Sequence, residues 1–174
     1  MTLRSVPPGA ALVEGVFAAG RHPEGQLHAV KLLTLAADDR SAGLARSLAR
    51  DAVAQWHLGE DIEGDVLLVV SELVTNALRH GPEQVTDFEI RLRIGHVPGV
   101  LAIGVEDPHP GEPIVLQPSL HKTGGRGMAL VTAHCDEWMV LPTADGKQIC
   151  AFWNLPGPPA YGTGWCHGSV FLAG

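Results

Sequence analysis

"SELVTNALRHGP", residues 71–82, ends a segment that begins with "EDIEGDVLLVV" at residues 60–70. At about 100° per residue, Val66, Val69, Val70, Leu73 and Ala77 fall within an arc of about 100°, the apolar stripe of a helix that faces a core. Acidic residues in the first turn suit the positive end of the helix dipole, and Gly81-Pro82 supplies the stop. On the same wheel Glu72, Asn76 and Arg79 form a second stripe about 60° wide, directly beside the apolar one. These polar groups therefore sit at the border of the core. Glu72 has two readings there. It is a solvated or ion-paired helix residue, or it is a base next to Asn76, whose oxygen suits a hard cation that takes few protein ligands.

Outward from this helix the hydrophobic period changes several times. "QLHAVKLLTLAA", residues 26–37, alternates as a strand does. "DDRSAGLARSLARDAVAQWHLG", residues 38–59, places Ala42, Ala45, Leu48, Ala49, Ala52 and Trp56 at helical spacing, with Gly59 as its stop. Beyond the central helix, "VTDFEIRLRIGH" alternates Phe88, Ile90, Leu92 and Ile94 with charged neighbours, and "GVLAIGVEDP" follows a Pro-Gly turn. That predicts a hairpin with one buried and one solvated face. A Pro/Gly-rich stretch of about 20 residues comes next, longer than a compact domain needs for a connection and typical of a lid or binding loop. "MALVTAHCD" reads as a short helix, and "EWMVLPTADGKQICAFWNLP" as a second hairpin turning at Asp145-Gly146. Helices segregated on one face of a mostly antiparallel sheet make an α+β two-layer sandwich.

The whole chain has 174 residues, 45% of them hydrophobic and 18% charged, a globular composition of single-domain size. Residues 1–26 and 156–174 read as extensions of a domain over 27–155, the second Gly/Pro-rich yet still carrying Trp165, Val170, Phe171 and Leu172. With 12 basic and 19 acidic residues the net charge is −7, which gives no electrostatic grip on a nucleic-acid backbone. No apolar run reaches the roughly 20 residues of a bilayer span, and "GAALVEGVFAAG" near the start is too short and too poorly flanked for a secretory signal, so a cytoplasmic location is expected. Cys135, Cys150 and Cys166 are odd in number and lack CxxC spacing, and His109, His121, His134 and His167 lack ligand spacing. Free thiols and loop or surface histidines are the expectation, and a zinc enzyme is not.

Two further stretches bear on Glu72. "VEDPHPGEP" ends a strand at Asp107, a carboxylate able to accept from an exocyclic amine, or simply a turn-starting residue before Pro108. "TGGRGMALV" places three glycines before a helix, where backbone N–H groups and the helix N-terminus attract polyphosphate, although glycines there also serve a plain turn.

Taken together, E-x-x-x-N on a helix, a strand ending in Asp, a loop, and Gly-Gly-Arg-Gly before a helix resemble the Bergerat-fold (GHKL) ATP-binding family. The likeness is greatest to its small single-domain branch of anti-sigma factor serine kinases and their actinobacterial relatives, and it spans residues 27–155. "ELVTNALRHG" and "GGRGMALV" are its specific parts. The resemblance implies the Bergerat, histidine kinase-like ATPase fold, with ATP and Mg2+ as cofactors. It implies that Asn76 binds the magnesium that bridges the phosphates, that Glu72 is the general base, and that Asp107 reads the adenine amino group. It further implies that Gly125, Arg126 and Gly127 belong to a phosphate-covering lid, with Met128 and Leu130 near the nucleotide or packing their helix. Arg79 and His80 follow the motif, as a phosphate or partner contact or as packing at the helix end. Where the wider family has glycines after the Asp, this chain has Pro108, His109 and Pro110, which stiffen that side of the pocket.

The implied function is an ATP-dependent serine/threonine protein kinase that binds a sigma factor or similar transcription regulator and phosphorylates its antagonist protein. The alternative is a non-catalytic ATP-dependent binding switch; intact Glu72 favours the kinase and the proline-rich box the switch. A detached sensor-kinase catalytic domain ranks behind both. Family members often pair as homodimers.

Overall fold

The computed structural model describes residues 29–79, 88–97, 99–108, 126–144 and 146–156. The element order is β1 (Ala29–Ala36), α1 (Ser41–Gln55), α2 (Glu60–Arg79), β2 (Glu89–Val97), β3 (Val100–Asp107), α3 (Arg126–His134), β4 (Glu137–Pro142) and β5 (Lys147–Asn154). The strands form one sheet of order β1-β2-β3-β5-β4, and every pairing is antiparallel. β5 returns from its hairpin with β4 to lie against β3. Because of that insertion, the end of the first hairpin and the turn of the second meet at one end of the sheet.

All three helices pack on one face. Leu35, Ile90, Leu92, Ile94, Leu101, Ile103, Val105, Ile149, Ala151 and Trp153 point from the strands into a core completed by Ala45, Ala49 and Ala52 of α1 and by the α2 stripe. Each of Val66, Val69, Val70, Leu73 and Ala77 is buried, and Val74 widens the stripe by one position. The two-layer α+β sandwich anticipated from periodicity is the observed architecture. The alanines of α1 let it lie close to its neighbours, since small side chains shorten interhelical distance.

Three local details differ from the sequence expectation. α1 stops at Gln55, before Gly59; His57 takes the left-handed conformation at φ 54° and Gly59 follows at φ 94°, so the chain reverses between the helices through two positive-φ residues. Trp56, expected on the helical stripe, lies just past it and stacks on His96 of β2, ring centroids 5.5 Å apart. The second hairpin strand is not solvated on its outer face: Ala102 and Val97 join Cys150 and Phe152 of β5 in a small apolar cluster on the side of the sheet away from the helices. Central strands are buried on both faces, which period-two alternation cannot distinguish from half-burial when the outer residues are small. The anticipated helix stop at Gly81-Pro82 lies outside the described residues.

Candidate active site

The candidate residues lie on two walls. The first is built from α2 and α3. Glu72 and Asn76, four residues apart, are both half-buried, while Arg79 is exposed at the helix end. Their wheel position explains this: they lie beside the core stripe, which covers one flank. α3 begins at Arg126, two residues ahead of the predicted start, and its second residue is Gly127. A Cβ at Gly127 would come within 2.8 Å of the Glu72 carboxylate oxygen Oε2. Glycine is thus what lets the start of α3 approach the acidic side chain of α2. The positive end of α3 favours a carboxylate there, and for the same reason any other anion. Among the described residues no ion pair engages Glu72.

α3 is tied down along its length. Met128 and Val131 enter the main core, so Met128 packs against the helix layer, and Leu130 is half-buried. At the far end His134 Nδ1 lies 2.7 Å from Asp65 Oδ1 of α2, and the Trp153 indole N–H donates to the His134 carbonyl. Those contacts tie the far end of α3 to α2 and to β5.

The second wall is the end of the sheet. Asp107, last residue of β3, alternates in line with Leu101, Ile103 and Val105 and so lies on the helix-bearing side. It is 3% exposed. Directly opposite in the ladder is Lys147, first residue of β5, whose Nζ stands 3.0 Å from Asp107 Oδ2. A carboxylate this deep needs a countercharge or several donors, and Lys147 supplies the charge. The turn beside it is closed by the Thr143 N–H donating to the Gly146 carbonyl at 3.0 Å. Gly146 itself is pressed on the backbone of Asp107 and Pro108, with a Cβ there only 2.7 Å from the Pro108 carbonyl carbon.

Sequence reasoning named Asp107 and missed Lys147. A signal existed: in "KQICAFW" the inward positions are Ile149, Ala151 and Trp153, so period-two alternation puts Lys147 inward as well, an unusual place for an ammonium. Glu72 and Gly127 are brought together, and Asn76 shares the border of α2 with Glu72. Gly125 and the expected proline-rich and lid segments lie outside the described residues, as do His80, His109, His121, His167 and Cys166. Of Arg126 only the backbone, opening α3, is described. Cys135 and Cys150 are free thiols, the second buried deeply enough that its pKa is pushed up to about 12. Among the described residues no group of three or more His, Cys, Asp or Glu could hold a metal ion, and no helix is long and apolar enough to cross a membrane.

Similarity to known proteins bears on the fold and the family. No curated protein matches the chain. A solved structure of the RsbU and RsbW domains of Rv1364c from Mycobacterium tuberculosis is similar in fold, with a TM-score of 0.58 at 21% identity over 76% of this chain. The match covers 34% of that chain, so the present chain corresponds to about a third of that two-domain protein. Residues 35–153 match the family model described as the histidine kinase-like ATPase domain. That range starts at the end of β1 and takes in the three described helices, β2, β3, β4 and all of β5 but its last residue, with both walls inside it, and the chain belongs to the histidine kinase-like ATPase domain family.

Proposed function

We propose that the protein binds ATP with Mg2+ between these two walls and acts as an anti-sigma factor-like serine/threonine kinase on an antagonist protein. The observation that carries it is the approach of Gly127 to Glu72: it joins the E-x-x-x-N helix to the glycine-led helix start at one place. Phosphoryl transfer needs mainly positioning and charge neutralisation, and a helix N-terminus, an amide oxygen and a carboxylate are the parts for it. The donor set also fits the metal. Mg2+ holds to one or two protein oxygens and otherwise to phosphates and water, so Asn76 suffices where a zinc or calcium cage would need more. When bound, the ion would be held by Asn76 and would supply neutralisation of the phosphate charge.

In this proposal Asn76 orients the metal, Glu72 takes the proton from a substrate hydroxyl, and Asp107 accepts from the adenine amine. Gly125, Arg126 and Gly127 cover the phosphates. The partners are a sigma factor or comparable transcription regulator and the antagonist that Glu72 would help to phosphorylate, in the cytoplasm. Pro108 directly after Asp107 supports a second reading, a binding switch in which nucleotide closes the loop without transfer.

Calorimetric titration of ATP with and without Mg2+ tests the pocket. Saturable Mg2+-dependent binding, lost in Asn76→Ala, is expected; no binding by the wild type would end the proposal. Glu72→Ala separates the two functions. Retained ATP binding with loss of transfer to an antagonist indicates the kinase, and unchanged nucleotide-dependent partner binding with no transfer by the wild type indicates the switch.

A further inference from the structure

The β3–β5 ladder terminates in a charged rung. Its last pair is Asp107 opposite Lys147, and the side chains are only 4% and 8% exposed. An ammonium in such a place is costly, because burial removes its hydration and few strand positions return it. Two backbone constraints also hold it. Lys147 is fixed in register by the ladder, and the residue before it, Gly146, lies so close to the backbone of Asp107 that a Cβ there would meet the Asp107 carbonyl oxygen, so the turn packs directly on the end of β3. The cation and the carboxylate form one rigid unit at the sheet end.

A carboxylate's terminal torsion is otherwise broad, and rotation would blur the direction in which its oxygens accept. An ammonium on Oδ2 restricts that freedom. Because a carboxylate offers about four acceptor sites, it can hold the ammonium and a neutral amine together. We propose that Lys147 is a positioning residue for base selection: by fixing Oδ2 of Asp107 it aims the carboxylate at the exocyclic amine of a 6-aminopurine. The role presupposes the nucleotide pocket proposed above and deepens it, since that pocket alone says nothing of Lys147.

The test compares ATP with purine riboside triphosphate, which lacks the 6-amino group, by calorimetry on the full chain with Mg2+. The wild type should prefer ATP by roughly tenfold or more, the value of one hydrogen bond to a charged acceptor. Lys147→Met should compress that preference to within about threefold while leaving affinity for the analogue nearly unchanged, and Lys147→Arg should restore most of it. A purely structural lysine would move both affinities together. A Lys147→Met protein with a normal melting transition that keeps the wild-type ratio overturns the inference, as does one that binds both nucleotides more tightly by the same factor. If Lys147→Met fails to fold, Lys147→Leu, which likewise cannot donate to Oδ2, is measured instead, and a wild-type ratio there is equally fatal. Failure of the pocket itself is distinguishable: the wild type would then bind neither nucleotide.

Discussion

The two walls of the site are stabilised in opposite ways. At the helical wall Glu72 is half-buried and lies against the start of α3, where Gly127 has no side chain. At the sheet wall Asp107 is enclosed, countercharged by Lys147 and pinned by the backbone of the neighbouring turn. The difference suits the roles proposed for them: a group that exchanges a proton with a visiting hydroxyl gains from access and adjustability, whereas a group that reads a base gains from being fixed before the base arrives. The contrast teaches that one fold places an adaptable carboxylate and a rigid one at its two structural layers, because a helix face tolerates side-chain motion and a ladder end does not.

The largest effect that would break the contrast is removal of the rigid carboxylate. Asp107→Ala removes the carboxylate that faces the buried Lys147 ammonium, and breaking a buried pair from one side costs about 3–5 kcal/mol. Urea denaturation should show that loss, and Asp107→Ala combined with Lys147→Met should recover much of it, since an apolar pair fills the space with no orphan charge. Glu72→Ala at the other wall should cost less than about 1 kcal/mol, the usual range for a group outside a buried network. Equal losses at the two positions would mean that the walls do not differ as described.

Next in size is the same substitution made at the two glycines. At Gly146 a new methyl group meets backbone, 2.7 and 2.8 Å from the carbonyl carbon and Cα of Pro108, and backbone cannot step aside. Gly146→Ala should destabilise by about 1–3 kcal/mol, as overpacking does. At Gly127 the methyl meets only the end of a flexible side chain, Glu72 Oε2. There the helix gains about 0.8–1 kcal/mol from replacing glycine, which offsets the displaced carboxylate, so the melting temperature should hardly change. The displacement itself should still lower phosphoryl transfer. A stable Gly146→Ala protein, or a Gly127→Ala protein with full transfer, would remove the distinction between the walls.

The helical wall was the more legible in the sequence, and the physical reason is period. Val66, Val69, Val70, Leu73 and Ala77 define a stripe within one continuous element, and Glu72 and Asn76 are located relative to it by rotation alone. The sheet wall depends on which strands are neighbours. Nothing local in "KQICAFWN" says that β5 lies against β3 or that position 147 pairs with 107; that follows only after the hairpin folds back between β3 and β4. The same limit hid the outer cluster of Val97, Ala102, Cys150 and Phe152, whose members come from three strands. Helix ends were the other weak point, because α1 stops at Gln55 through the positive φ of His57, a residue with no composition signal for it.

The smallest expected effect lies away from both walls, where the loop between α1 and α2 closes over the sheet. The His96 ring stacks on Trp56 at an interplanar angle of 26°, and burial lowers its pKa from the ordinary 6.5. A histidine that resists protonation when folded takes up a proton more readily when unfolded. Stability from this source is therefore complete above about 6.5, falls as the pH drops through the interval beneath it, and is lost once the pH is below the folded value. His96→Gln should flatten that part of the stability profile without changing the neutral-pH ATP preference, because neither Asp107 nor Glu72 is moved. Denaturation midpoints at neutral and mildly acidic pH measure it. An unchanged slope in His96→Gln would assign the acid sensitivity to another group, and a shifted base preference would show that the Trp56 corner communicates with the sheet end.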